Sequence, residues 1–144
     1  MKTAAIVPAL NEEGNVGNVL KALLDSRIPD EVILVDDGST DRTAEIGKEL
    51  GAKVLGLLKK GGSGKGNAMR KAIEFTDADV IAFFDADLIG LKNEHISAVI
   101  NPVKAGEAGM CIGIRVRYGG LSELMMKIDP LLAIGGERAM KREV

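Results

Sequence analysis

The chain has 144 residues, 46% of them hydrophobic, a length that fits one domain with a sizeable core. Nineteen basic against 21 acidic residues give a net charge of -2, which excludes a polybasic nucleic-acid face or membrane anchor, so any phosphate-bearing ligand must be held by local features. One cysteine, Cys111, excludes an internal disulfide and a clustered zinc site, and no apolar run reaches the ~18 residues of a membrane span.

In chain order, "TAAIVPA" (3 to 9) reads as a strand. After it, Val16, Val19, Leu20, Leu23 and Leu24 follow the spacing of a buried helix face, and Pro29 lies in the exit loop. "EVILVDD" (31 to 37) is a second strand; "GST" then leads into a helix from about Asp41 to Leu50, closed by Gly51 in a left-handed cap. A third strand, "AKVLGL" (52 to 57), precedes a glycine-rich stretch and a helix from about Lys65 with Met69, Ala72 and Ile73 inward. "DVIAFFD" (79 to 85) is the fourth strand. A helix over roughly Glu94 to Lys104 follows, which Pro102 is expected to disturb, and "AGMCIGIRV" (108 to 116) is the fifth strand. Cys111 reads as a small buried hydrophobe and His95 as an ordinary helix residue. Strict alternation of strand and helix predicts an α/β fold: a mainly parallel open sheet with helices on both faces, and no repeat or linker.

In such sheets ligands bind beyond the carboxyl ends of the strands, and four polar clusters fall there: "PALNEE", "DDGSTD", "KKGGSGKG" and "DADL". If the fourth strand runs through Asp87, Asp85 and Asp87 share a side. At about 4 Å and an effective dielectric near 20, their repulsion is on the order of 4 kcal/mol, so a divalent cation, a helix N-terminus or water must offset it. In "VDDGSTD", Ser39 or Thr40 can cap the following helix, while an aspartate there can accept hydrogen bonds from a base. Asn11 and Glu12 are placed to hold a ribose hydroxyl, or simply to start a helix. "GGSGKGN" is not a Walker A loop, because Lys59 stands five before Gly64 and Gly66 follows Lys65. It is a glycine segment ending at a helix N-terminus, with Lys65 as a point charge for phosphate or ribose oxygens, or else a plain surface loop. The D-x-D could also belong to a haloacid-dehalogenase-like phosphatase, but those place it after the first strand rather than the fourth.

Taken together, "IVPALNEE", "ILVDDGSTDRT", "GSGKGNAMRKAI" and "VIAFFDADL" resemble the nucleotide-sugar-binding half of glycosyltransferase family 2, in family order over residues 3 to about 90. The resemblance implies a GT-A (Rossmann-like nucleotide-sugar-binding) fold in one domain, C-terminally short, with a donor half over 1 to 90 and a partial acceptor half over 91 to 144. It implies that Pro8, Ala9, Leu10, Asn11, Glu12, Asp37 and Ser39 contact the nucleoside of a UDP- or GDP-sugar and that Lys65 approaches its ribose or diphosphate. Asp85 and Asp87 would hold Mg²⁺ or Mn²⁺ on the diphosphate, with Ala86 small enough for close backbone approach.

The segment from Cys111 to Val144 resembles more loosely the acceptor segment of the glucosyl-3-phosphoglycerate synthase branch, with Gly120 where that branch carries an arginine and Ser122 retaining a hydroxyl. The acceptor stays unknown. Glu137 is a candidate acceptor-side group or base, with an exposed helix charge as the alternative. The Met- and Leu-rich residues 121 to 134 are expected to pack in the core, to serve a lipid acceptor, or to close a homodimer. With "MKTAAIVPALNEE" turning acidic too early for a signal peptide, the expected location is cytoplasmic. A nucleotide-sugar-binding module without turnover is the competing reading.

Overall fold

The structure, a computed structural model, describes residues 1–58, 61–114 and 134–142. Six strands, β1 (Thr3–Ala9), β2 (Glu31–Asp36), β3 (Lys53–Gly56), β4 (Val80–Phe83), β5 (Met110–Ile114) and β6 (Ile134–Lys141), form one sheet in the order β3-β2-β1-β4-β6-β5. β1 to β4 pair in parallel, while β6 runs antiparallel to both β4 and β5. Four helices connect them: α1 (Val16–Ser26), α2 (Thr43–Leu50), α3 (Lys65–Phe75) and α4 (Asn93–Lys104).

The pleat sorts the apolar residues into two layers, since alternate residues of a strand face opposite sides. Ala5, Val7 and Ala9 of β1, Val32 and Leu34 of β2, and Val80 and Ala82 of β4 pack with Val16, Val19, Leu20 and Leu23 of α1 and Ile96, Ile100 and Val103 of α4. Their neighbours Ala4, Ile6, Ile33, Val35, Ile81 and Phe83 pack with Ala68 and Ala72 of α3 on the other face. Nearly continuous burial along β1, β2 and β4 is what a parallel sheet covered on both faces requires. Among the described residues, no helix is long and apolar enough to cross a membrane.

Several details differ from the sequence expectations. β4 ends at Phe83, so Asp85 lies beyond the strand and Asp87 in the turn that follows, and the pleat does not set their relative direction. α4 continues past Pro102 to Lys104. A proline there cannot donate to the carbonyl four residues back, that of Ala98, and the Cys111 thiol takes that acceptor at 3.5 Å. Cys111 is only half-buried, since β5 is an edge strand. α2 begins at Thr43, where the Asp41 carboxylate accepts the Thr43 N–H at 2.9 Å; neither Ser39 nor Thr40 is its cap. The expected Gly51 cap is present, left-handed at φ 88.

β6 is absent from the sequence reading. "IGGERAMK" has a glycine pair and an adjacent glutamate and arginine, with Ile134 as its one β-branched residue and no aromatic to mark a strand. Its interior site between β4 and β5 selects small residues instead. Ala139 is fully buried opposite Ala82, and Gly136 lies beneath the Asp85 carboxylate. Glu137 is therefore a buried strand residue rather than an exposed helix charge.

Candidate functional site

From β1 the chain steps to β2 and β3 on one side, then returns through α3 to β4 on the other side of β1. Loops leaving the carboxyl ends of β1 and β4 diverge there and leave a crevice. A cavity of ≈ 440 Å³ occupies it, lined by Pro8, Ala9, Leu10 and Glu12 after β1, Asp37 after β2, Gly61, Gly62, Gly64 and Lys65 before and at the start of α3, and Asp85, Ala86 and Asp87 after β4.

The first wall is the β1 exit. Asn11 adopts φ 53, a left-handed conformation that asparagine tolerates better than most residues. Its N–H donates to Ser39 Oγ at 2.9 Å, and its Oδ1 accepts the Thr40 N–H at 2.8 Å. The Glu12 N–H donates to Thr43 Oγ1 at 2.9 Å, and Ser39 N–H to Asp36 Oδ1 at 3.1 Å. These bonds lock the β1 and β2 loops together. Asn11 and Ser39 act behind the wall and do not line the cavity, whereas Pro8, Ala9, Leu10 and Glu12 do.

Buried Asp37 organises the second wall. Its Oδ1 accepts the Ser63 N–H at 2.8 Å and the Ser63 hydroxyl at 2.6 Å, and its Oδ2 accepts the Gly64 N–H at 3.0 Å. The loop it holds needs glycine: Gly62 and Gly64 have φ 94 and 97, which side chains rarely adopt. Two of the groups that the carboxylate satisfies are thus backbone donors next to the N-terminus of α3, where Gly64 precedes Lys65. Sequence reading singled out the loop and Asp37 but not their bond.

The third wall carries Asp85 and Asp87. The Lys65 ammonium donates to Asp85 Oδ1, and the two side chains are 53% and 19% exposed respectively. Gly136 of β6 lies so close that a Cβ there would stand 2.2 Å from Asp85 Oδ2. Asp87 is exposed, and Ala86 is buried between the two carboxylates. Asp85 and Asp87 are hard oxygen donors, the set that Mg²⁺ or Mn²⁺ prefers. Among the described residues no three His, Cys, Asp or Glu gather as a metal-ligand set. His95 is occupied elsewhere, its Nδ1 accepting the Lys92 N–H at the start of α4 at 3.1 Å.

Glu137 does not line the cavity. It is buried on β6, where a Cβ on Gly113 of β5 would lie 3.2 Å from its own Cβ. The residues proposed to face an acceptor between Arg115 and Ala133, including Gly120 and Ser122, lie outside the described residues. Among the described residues the cavity lining is acidic: Glu12, Asp37, Asp85 and Asp87 stand against Lys65. Small apolar groups (Pro8, Ala9, Ala86) share the lining with these charges, the mix of apolar wall and few polar groups common in ligand pockets.

Residues 4–143 match the family model described as glycosyl transferase family 2, and the chain belongs to that family. A 4,4'-diaponeurosporenoate glycosyltransferase from Staphylococcus aureus is 34% identical over 109 residues, covering 73% of this chain and 29% of that protein. Among solved structures, glucosyl-3-phosphoglycerate synthase from Mycobacterium tuberculosis, in complex with Mn²⁺, UDP-glucose and phosphoglyceric acid, aligns with a TM-score of 0.78 at 26% identity, covering 99% of this chain and 57% of that one. The same enzyme with Mg²⁺ and UDP gives 0.77 at 27% identity with the same coverage. The chain therefore spans just over half the length of these structural relatives and under a third of the curated one.

Proposed function

We propose that this family 2 glycosyltransferase chain binds a UDP- or GDP-sugar in the cavity between β1 and β4, with Mg²⁺ or Mn²⁺ held by Asp85 and Asp87, and transfers the sugar to an acceptor hydroxyl or phosphate. The observation that carries the reading is the convergence of the Pro8–Glu12 loop, the Asp37-anchored glycine loop, Lys65 and the Asp85 and Asp87 carboxylates on one cavity. Relatives solved with Mn²⁺ and UDP-glucose, and with Mg²⁺ and UDP, support it. Among the described lining residues four carboxylates stand against Lys65, a balance that opposes a diphosphate and that a divalent cation would offset.

In this reading Pro8, Ala9 and Leu10 pack against the base, and Glu12 accepts from the ribose hydroxyls. Asn11 and Ser39 hold that wall in place through their mutual hydrogen bond. Asp37 fixes the glycine loop, and Lys65 at its end neutralises phosphate oxygens. When bound, the divalent ion supplies Lewis-acid stabilisation to the departing nucleoside diphosphate. A two-fold dimer and a cytoplasmic location belong to the same proposal.

A second reading, a nucleotide-sugar-binding module without turnover, is favoured by one observation: Glu137, the candidate base, is buried and is not among the described residues that line the cavity. Calorimetry with UDP, GDP and their sugars in the presence of Mn²⁺ tests both readings, and absence of binding at millimolar ligand would sink both. Donor turnover, slow hydrolysis included, separates them.

A further inference from the structure

We propose that Lys65 is an exchangeable counter-ion for Asp85 that couples metal binding to diphosphate binding. The proposal rests on the metal and diphosphate reading above. Its basis is an asymmetry in the Lys65–Asp85 pair. Asp85 is held: its carboxylate is 19% exposed and seated against Gly136 so closely that no side chain fits between them. Lys65 is anchored at its backbone, next to the Gly64 N–H that Asp37 holds, while its side chain reaches out from the start of α3 and is 53% exposed. The carboxylate is a fixed acceptor and the ammonium a mobile donor on a flexible stem.

A divalent ion approaching alone must therefore displace an ammonium from Asp85 Oδ1 and then tolerate that ammonium as a like charge in the same cavity. A diphosphate arriving with the ion removes both penalties, because its oxygens give the ammonium a new partner. Each ligand then strengthens the other, and by linkage the coupling is the same in both directions. Lys65 keeps the acidic cavity partly neutralised while empty and discourages occupancy by metal alone.

The test is Mn²⁺ binding, followed by electron paramagnetic resonance of the free ion, with and without UDP, for the parent, Lys65→Met and Lys65→Arg. Lys65→Met should bind Mn²⁺ alone about fivefold more tightly than the parent, the upper end of what a partly exposed ion pair contributes. Its gain in Mn²⁺ affinity on adding UDP should be smaller than the parent's by at least the same factor. Lys65→Arg, which keeps the charge, should retain the parent's weak binding of metal alone. If the parent binds Mn²⁺ with UDP but Lys65→Met binds Mn²⁺ alone no more tightly, the counter-ion role is overturned while the metal site stands. If the parent binds no Mn²⁺ even with UDP, both fall. Circular dichroism and thermal melts establish that each variant is folded, so unchanged affinity in a folded Lys65→Met chain counts against the proposal.

Discussion

At the scale of single residues, the position of the Asp85 carboxylate depends on the absence of a side chain across the sheet. Gly136→Ala would set a methyl group 2.2 Å from Asp85 Oδ2 and 2.6 Å from its Cγ, so the carboxylate must move. The expected cost is about 1–3 kcal/mol of stability for overpacking. Mn²⁺-dependent UDP binding should fall by roughly tenfold or more, the scale of about 1.4 kcal/mol lost at a ligand whose geometry is disturbed, while uridine binding stays unchanged. Calorimetry with the two ligands checks it, and equal losses for both would show that Gly136 acts through the fold rather than through Asp85. Asp85 and Asp87 were legible in the sequence because two carboxylates after an apolar run demand an explanation. Gly136 was not, because its reason lies some fifty residues away and across a strand pairing that no local pattern announces. Asn11 and Ser39 were legible as polar residues at the right edge, but their hydrogen bond to each other could not be read from residue type.

At the scale of elements, the strand ends are tied to one another by side chains at both edges of the sheet. Asp37 ties β2 to the loop before α3, so Asp37→Ala leaves the Ser63 and Gly64 N–H groups without their acceptor. A loss of about 1–3 kcal/mol is expected for unsatisfied, partly buried donors. Faster amide exchange over residues 61–64 should accompany it, and unchanged exchange there would contradict the anchoring role. At the opposite edge, the buried Glu31 carboxylate at the start of β2 accepts from Lys53 Nζ at 2.5 Å and from the Thr76 hydroxyl, with Lys2 Nζ 3.6 Å away. Burial pushes the Glu31 carboxyl up, but the bonds from Lys53 and Thr76 and the charges of Lys53 and Lys2 outweigh it and hold the group below its ordinary value. A depressed carboxyl stabilises the fold above its unfolded pKa, about 4.3, and that contribution disappears as pH falls through the lower folded value. Urea unfolding of the parent and Glu31→Gln should therefore differ most near neutrality and converge on acidification; a gap constant down to pH 2.5 would refute this. Five strands and four helices followed from hydrophobic period and turn residues, with described edges shifting by at most two residues. The sixth strand escaped because a central antiparallel position favours the small residues Gly136 and Ala139 over the residues that signal a strand.

At the scale of the whole molecule, one reversal of strand order creates the site. The sheet grows outward from β1 in both directions, and the four clusters distant in sequence meet only because their strands end on the same edge. That convergence was readable from strand–helix alternation alone, whereas the antiparallel β6 and the edge position of β5 were not. Beyond β4 the face bearing α3 leaves Met110 and Ile112 of β5 43% and 41% exposed. Together with the Met- and Leu-rich segment, of which residues 121–133 lie outside the described residues, this favours a two-fold dimer. Light scattering over a concentration series should show a dimer, and a strict monomer at high concentration would contradict it. The most direct measurement of the central claim, that this cavity holds a nucleoside diphosphate through a metal on Asp85 and Asp87, is calorimetric titration of UDP into the parent and Asp87→Ala chains, with Mn²⁺ and with chelator. Binding by the parent that requires Mn²⁺ and vanishes in a still-folded Asp87→Ala chain is the predicted result; binding of equal strength without metal, or undiminished by the substitution, would contradict it.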